Sequence, residues 1–356
     1  MTESVLQQYF WWIKLIFWTL NGVGMVSVLV SFEQTEFKES RNTVNTAFVF
    51  ALVLSFLLGM LPIPWGSGGD REWYAEGFLR MQTATLDEVW ESEEFGFSFI
   101  NWFLGKYLTE EQYFIAIALI YVGNYFIAVR KLVQGDTYWL MLGIVLSLGF
   151  VSYNLNTMRA GLAISFLMLA LSTYPSFWRM GIFMLIAYSI HHSMIIPSLM
   201  IAVSYFCNRT KYFYYLWILS VPVSFFAGNF FNEYFSDFSE DSRTEYLTTS
   251  DTYYNIGFRI DLVVFSVVPL LVGAYYIFKR GISDRFYHMI YNSYVLTNIF
   301  WILVIRSNFS DRFAYLSWFM IPLVLIYPLL KHDMDLHAGK WLGCILGGEI
   351  LFRCLF

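Results

Sequence analysis

Gln112-Tyr113-Phe114-Ile115-Ala116-Ile117-Ala118-Leu119-Ile120-Tyr121-Val122-Gly123-Asn124-Tyr125-Phe126-Ile127-Ala128-Val129 contains no Asp, Glu, Lys or Arg and is closed by Arg130-Lys131. About 20 such residues cross the hydrocarbon core of a bilayer, and a helix satisfies its own backbone groups there. The stretch therefore reads as a membrane-spanning helix. Working outward, similar runs recur near 11–31, 44–63, 137–153, 159–173, 178–191, 193–206, 212–231, 260–278, 288–305, 313–330 and 341–355. With 112–129 they predict an all-α polytopic membrane protein of about 12 transmembrane helices. The chain reads as a single integral membrane domain, 1–356. Spans 159–173 and 193–206 are short for a bilayer, which tilting or local thinning accommodates. Two larger inserts, 64–111 and 232–259, are acidic and aromatic and are expected outside.

Composition agrees. Hydrophobic residues make up 58% of the 356 and charged residues 14%, where a soluble domain carries about 25% charge. Mean hydropathy is +0.53. A soluble globule needs more polar cover than this. The net charge of −5 supplies no basic field for a nucleic acid. Cys207, Cys344 and Cys354 have no metal-ligand spacing. Met1 to Gln8 carries Glu3 and no basic residue, and no small-residue cleavage site follows. The first apolar run is therefore expected to stay as a membrane helix.

Lys and Arg in the short loops set the orientation. Arg130-Lys131, Arg209 to Lys211 and Lys279 to Arg285 are basic at successive turns and read as cytoplasmic, which puts both inserts outside. Arg159, Arg306 and Arg312 break this pattern in short external loops. Arg159 follows the capping residues Asn154, Asn156 and Thr157 at the start of a helix, and Arg312 follows Ser310 and Asp311. A cation in a first helical turn meets the positive end of the helix dipole. An anion held between guanidinium and helix N-terminus resolves that conflict, and arginine's planar fork suits phosphate oxygens. The plain alternative is an arginine reaching the head groups. It weighs most for Arg306, which stands at a helix C-terminus, where the dipole favours it. Arg312 has a further alternative, a pair with Asp311 or Glu245.

Proton transfer has two candidate sources. His191-His192-Ser193 lies between two apolar runs on the external side, and His192 is the favoured base, held on a short turn between helices. A packing or capping role is the alternative. Asp70, with Glu72, follows Gly66-Ser67-Gly68-Gly69, a stretch expected to be mobile, and is the second candidate. Trp73, Tyr74, Trp90 and Trp102 offer faces for sugar rings or an interfacial aromatic belt. Glu91, Glu93 and Glu94 read as a solvated charge run, with Glu94 set apart because it opens Glu94-Phe95-Gly96-Phe97.

Taken in order, these motifs resemble the EpsG-type (Wzy-like) polysaccharide polymerases. Thr157-Met158-Arg159-Ala160-Gly161-Leu162-Ala163 resembles their R-x-x-Leu-Ala helix start, and His191-His192-Ser193-Met194 their His-x-Ser turn. Asp70-x-x-x-Tyr74 and Glu94-x-Gly96-Phe97 resemble their external loop, and Arg312-x-x-Tyr315 their late helix start. Gly161 departs from the pattern, where a bulkier or polar residue is frequent. The resemblance implies a multispan helical enzyme of the bacterial plasma membrane that joins lipid-linked repeat units of O-antigen, capsule or exopolysaccharide on its outer side. The growing glycan would move from undecaprenyl diphosphate to the sugar of a lipid-linked acceptor. Arg159 would act on the diphosphate with His192 or Asp70 as base. Arg312, Arg306, Tyr74, Glu94 and Tyr315 would bind substrate. No metal or cofactor is implied; the partners would be the lipid-linked oligosaccharide, membrane lipid, and chain-length regulator and flippase proteins. Rival readings are a transporter or flippase of the same lipid, a lipid-phosphate-sugar glycosyltransferase and a membrane O-acyltransferase. A transporter predicts charged groups deep in several spans, whereas Glu349 is the one acidic residue well inside a predicted span.

Overall fold

The computed structural model describes residues 3–34, 41–237, 257–307, 310–332 and 337–355. Helices dominate, and there is no strand among the described residues. The chain divides into two compact units, Met1–Ile195 with Leu329–Phe356, and Ile196–Pro328. The first unit holds α1 (Glu3–Glu33), α2 (Arg41–Gly59), α3 (Asp70–Gln82), α4 (Leu86–Trp90), α5 (Phe95–Gly105), α6 (Glu110–Val133), α7 (Thr137–Leu146), α8 (Phe150–Leu155), α9 (Met158–Ser172) and α10 (Phe177–Ile190). The second runs through α11 (Ile195–Phe206), α12 (Thr210–Asp237), α13 (Ile260–Ala274), α14 (Arg285–Leu303), α15 (Ser310–Trp318) and most of α16 (Ile321–Lys331). Finally α17 (Ala338–Leu355) returns to the first unit and packs on α1.

Each predicted span coincides with helix. Five stretches are long and apolar enough to cross a membrane: Val5–Glu33, Glu110–Val133, Thr210–Phe231, Ile260–Lys279 and Ser310–Lys331. Thr43–Gly59, Thr137–Leu146, Met158–Ser172, Phe177–Ile190 and His192–Phe206 are shorter apolar helices. At 1.5 Å per residue α9 and α11 are only about 18–23 Å long, so the expectation of short spans at 159–173 and 193–206 holds.

The central helix of the first unit is α6. Thr109 caps it and exchanges hydrogen bonds with Gln112, Glu110 and Glu111 lie in the first turn, and Arg130 and Lys131 in the last. Each charge matches the dipole end it occupies. Packed between α2 and α9, α6 also makes polar ties: Tyr121 Oη donates to the Phe150 carbonyl (2.8 Å) and Asn124 Nδ2 to Ser165 Oγ (3.0 Å).

Two predicted spans are broken helices. Span 137–153 divides into α7 and α8, where Ser147 turns its hydroxyl back to the Ile144 carbonyl (2.6 Å) just before Gly149. Span 313–330 divides into α15 and α16, where Pro322 has no N–H to continue the ladder. The 64–111 insert is itself helical, as α3 to α5. In the 232–259 insert α12 reaches Asp237, and residues 238–256 lie outside the described residues.

The second unit has a buried polar knot. Asn298 Nδ2 donates to Ser266 Oγ (3.1 Å) and Ser317 Oγ (2.9 Å), while its Oδ1 accepts from Trp217 Nε1 (2.7 Å). Trp318 Nε1 also donates to Ser266 Oγ (2.9 Å). Helices in lipid lack a hydrophobic drive to associate, and such bonds supply part of the attraction.

Candidate active site

The site grows from the start of α3. Gly66 and Gly68 have φ of +79° and +68°, which a side chain resists, and their N–H groups turn inward to the Glu72 carboxylate. Ser67 Oγ adds a longer contact at 3.4 Å. The backbone donors hold Glu72 below the usual carboxylate range. The glycine stretch expected to be mobile is thus fastened, and Glu72, weighed with Asp70 as a proton acceptor, is its fastener.

Arg71 is buried, and its Nη2 donates to the carbonyls of Gly59 (2.9 Å) and Leu61 (2.7 Å) at the end of α2. Its guanidinium lies 3.8 Å over the Phe114 ring of α6. Burial pushes it down to about 10, so it remains a cation at neutral pH. This arginine fixes α3 against α2 and α6.

One turn further on is Tyr74. Its ring meets Phe97 edge-on at 6.0 Å. Burial raises its phenol above the ordinary tyrosine value, while Arg159 opposes that shift through its charge and hydrogen bonding. Asp70, exposed in the first turn of α3, adds a negative field at Tyr74.

Glu94 joins the parts. It is the N-cap residue of α5, yet its side chain makes no capping bond there. Instead Oε2 accepts from Arg159 Nη1 at 2.7 Å, and Oε1 lies 2.6 Å from His191 Nδ1. The Glu94 side chain is 4% exposed and that of Arg159 39%, so a buried carboxylate holds a partly exposed arginine. The approach depends on Gly96, because a Cβ there would come within 2.7 Å of the Ser189 carbonyl carbon near the end of α10. Glu94 therefore does not belong to the solvated run of Glu91 and Glu93.

Arg159 lies in the first turn of α9, as the sequence predicts. Thr157 occupies the N-cap, but its hydroxyl makes no capping bond. The helix N-terminus beside Arg159 thus lacks that side-chain cap. At the end of α10 the chain turns extended at His191 (φ −153°, ψ 116°). That brings His191 to Glu94, while His192 stacks on Tyr188 with centroids 4.9 Å apart. The sequence reading chose the neighbouring histidine. The usable signal was the His-x-Ser spacing itself, which counts back from Ser193 to His191.

The remaining expected residues belong to the second unit. Arg306 donates from Nη2 to the Phe225 carbonyl (2.8 Å). Arg312 is exposed in the first turn of α15. Tyr315, one turn on, meets Trp318 edge-on at 5.7 Å.

This fold defines a multi-pass, all-α membrane protein in which Glu94, Arg159 and His191 of the first unit meet at one end of the short helices α9 and α10. The EpsG family model matches residues 47–346, and the chain belongs to that family of Wzy-like polysaccharide polymerases. Comparison with curated proteins and with solved structures finds no match.

Proposed function

We propose that this protein extends a bacterial surface polysaccharide by transferring the growing glycan from undecaprenyl diphosphate to a lipid-linked acceptor, on the outer side of the plasma membrane. The observation that carries this reading is the Glu94 carboxylate shared between Arg159 and His191. The partly exposed Arg159 and the N-terminus of α9 suit the same partner, an anion whose charge grows as a bond breaks. Cation and helix dipole both stabilise such a group. Glu94 holds the guanidinium in place and accepts the hydrogen of His191 Nδ1. In the neutral ring Nε2 then carries the lone pair, the tautomer needed by a general base. His191 therefore takes precedence over His192 and Asp70 in this role.

In the reaction the acceptor hydroxyl oxygen bonds to the donor's anomeric carbon as its proton passes to His191 Nε2. The bond from that carbon to the diphosphate oxygen breaks, and its electron pair leaves with undecaprenyl diphosphate. Tyr74, which hydrogen-bonds the arginine, and Asp70 in the first turn of the same helix orient the sugar hydroxyls. Arg312, Arg306 and Tyr315 are assigned to substrate binding by the family resemblance, independently of the first unit's geometry. Purified protein reconstituted with undecaprenyl-diphosphate oligosaccharide tests the proposal. The expected products are a ladder of longer glycans and released undecaprenyl diphosphate. Folded protein that yields neither would rule it out.

A further inference from the structure

Arg71 carries a charge with no counter-ion. It is 3% exposed and forms no ion pair among the described residues. Its Nη2 donates to two neutral carbonyls, and the Phe114 ring covers one face of the guanidinium. Nε is buried, and its hydrogen has no acceptor among the described residues. A buried cation is costly unless an anion accompanies it.

A second polar group nearby is also left over. Tyr113, in the first turn of α6, is fully buried, and its hydroxyl has no partner among the described residues. Its ring stacks on Phe78 with centroids 4.3 Å apart. Arg71, Tyr74 and Phe78 follow one another at helical spacing and share one face of α3. That face packs on Tyr113 and Phe114 of α6. Tyr113 is within electrostatic reach of Arg71, Tyr74 and Arg159. Half-buried Tyr74, which hydrogen-bonds Arg159, links the two places.

An arginine Nε offers only a hydrogen, and a tyrosine hydroxyl can give one. The pair lacks an acceptor, and Arg71 lacks a negative charge. A water meets the first need alone, whereas a phosphate meets both. We infer that Arg71 and Tyr113 form a second phosphate subsite. It takes the lipid-side phosphate of the diphosphate, while Arg159 holds the phosphate at the bond that breaks. The inference rests on the polymerase reading and deepens it, because two subsites select a diphosphate-linked lipid over a monophosphate.

Binding tests the inference apart from turnover. The full-length protein in detergent is titrated with undecaprenyl diphosphate or undecaprenyl phosphate, and bound lipid is counted by native mass spectrometry. The wild type should prefer the diphosphate by about tenfold or more. Tyr113→Phe removes one oxygen and keeps the stacked ring, so its thermal midpoint should stay near wild type. It should weaken the diphosphate about tenfold, within the range for a hydrogen bond to a charged group. The monophosphate has the partly exposed Arg159 available, and its binding should not change. Unaltered diphosphate binding by Tyr113→Phe would overturn the inference and assign a water to the pair. An equal loss of both lipids would overturn it as well, as would a wild type that does not distinguish them. Failure of the polymerase reading would appear separately, as absence of glycan elongation by the wild type.

Discussion

Glu94 and His191 make opposite demands on their neighbours. Glu94 is buried and needs donors, and Arg159 and His191 supply them from two other helices. His192, one residue away, has an aromatic neighbour instead. Replacing each histidine separates the roles. His191→Ala should lower polymer formation about a hundredfold or more, within the usual range for a lost general base. His192→Ala should leave it within a few-fold of wild type. Polymer yield beside a blot for protein abundance makes the comparison, and the reverse order would assign the base to His192. The sequence could not separate these residues, because two adjacent histidines look alike until the backbone at the end of α10 is fixed. Nor could it distinguish Glu94 from Glu91 and Glu93. Only the close approach of Gly96 to Ser189 takes one glutamate out of the run. Arg159 was legible because its position opposed both the charge bias and the helix dipole.

At the scale of elements, the apolar runs were readable because in lipid each span must satisfy its own backbone. Length and composition alone then mark a helix. The breaks were less readable. Pro322 signals one, but the break after α7 depends on a serine and a glycine that intact membrane helices also tolerate. Gly161 shows a tertiary constraint hidden from local reading. α8 passes so close that a Cβ on Gly161 would meet the Tyr153 carbonyl oxygen and lie 2.7 Å from the Tyr153 Cβ. Gly161 thus stands where this fold leaves no room for a side chain. Gly161→Ala should cost about 1–3 kcal/mol through overpacking and tilt the N-terminus of α9 that presents Arg159. A lower thermal midpoint in detergent, with reduced polymer, is expected. An unchanged midpoint would show that α8 yields without cost.

For the whole molecule, orientation and transport are the open alternatives. The opposite ends of α6 test orientation in a background with Cys207, Cys344 and Cys354 replaced. Glu91→Cys, in the insert before α6, should react with a membrane-impermeant maleimide in intact cells. Gln134→Cys, just beyond Arg130 and Lys131, should react only after lysis. The reverse pattern would put the candidate site on the cytoplasmic face. The transport reading turns on Glu349, which α17 buries to 5% exposure with Oε2 unpartnered. Glu349→Gln preserves its shape, removes its charge and lies outside the proposed chemistry. Polymer output should therefore stay near wild type, whereas a transporter relying on that carboxylate would stop.

The central claim is that Arg159 stabilises a departing diphosphate through its two-pronged guanidinium. Lysine keeps the charge but loses the fork. Losing such a contact in the transition state costs on the order of 3 kcal/mol, roughly a hundredfold in rate. An arginine that only reaches the head groups would be replaced by lysine without loss. The decisive measurement is the rate of glycan elongation by reconstituted Arg159→Lys beside wild type at matched amounts of folded protein. The account predicts a fall of about a hundredfold; elongation at the wild-type rate would contradict it.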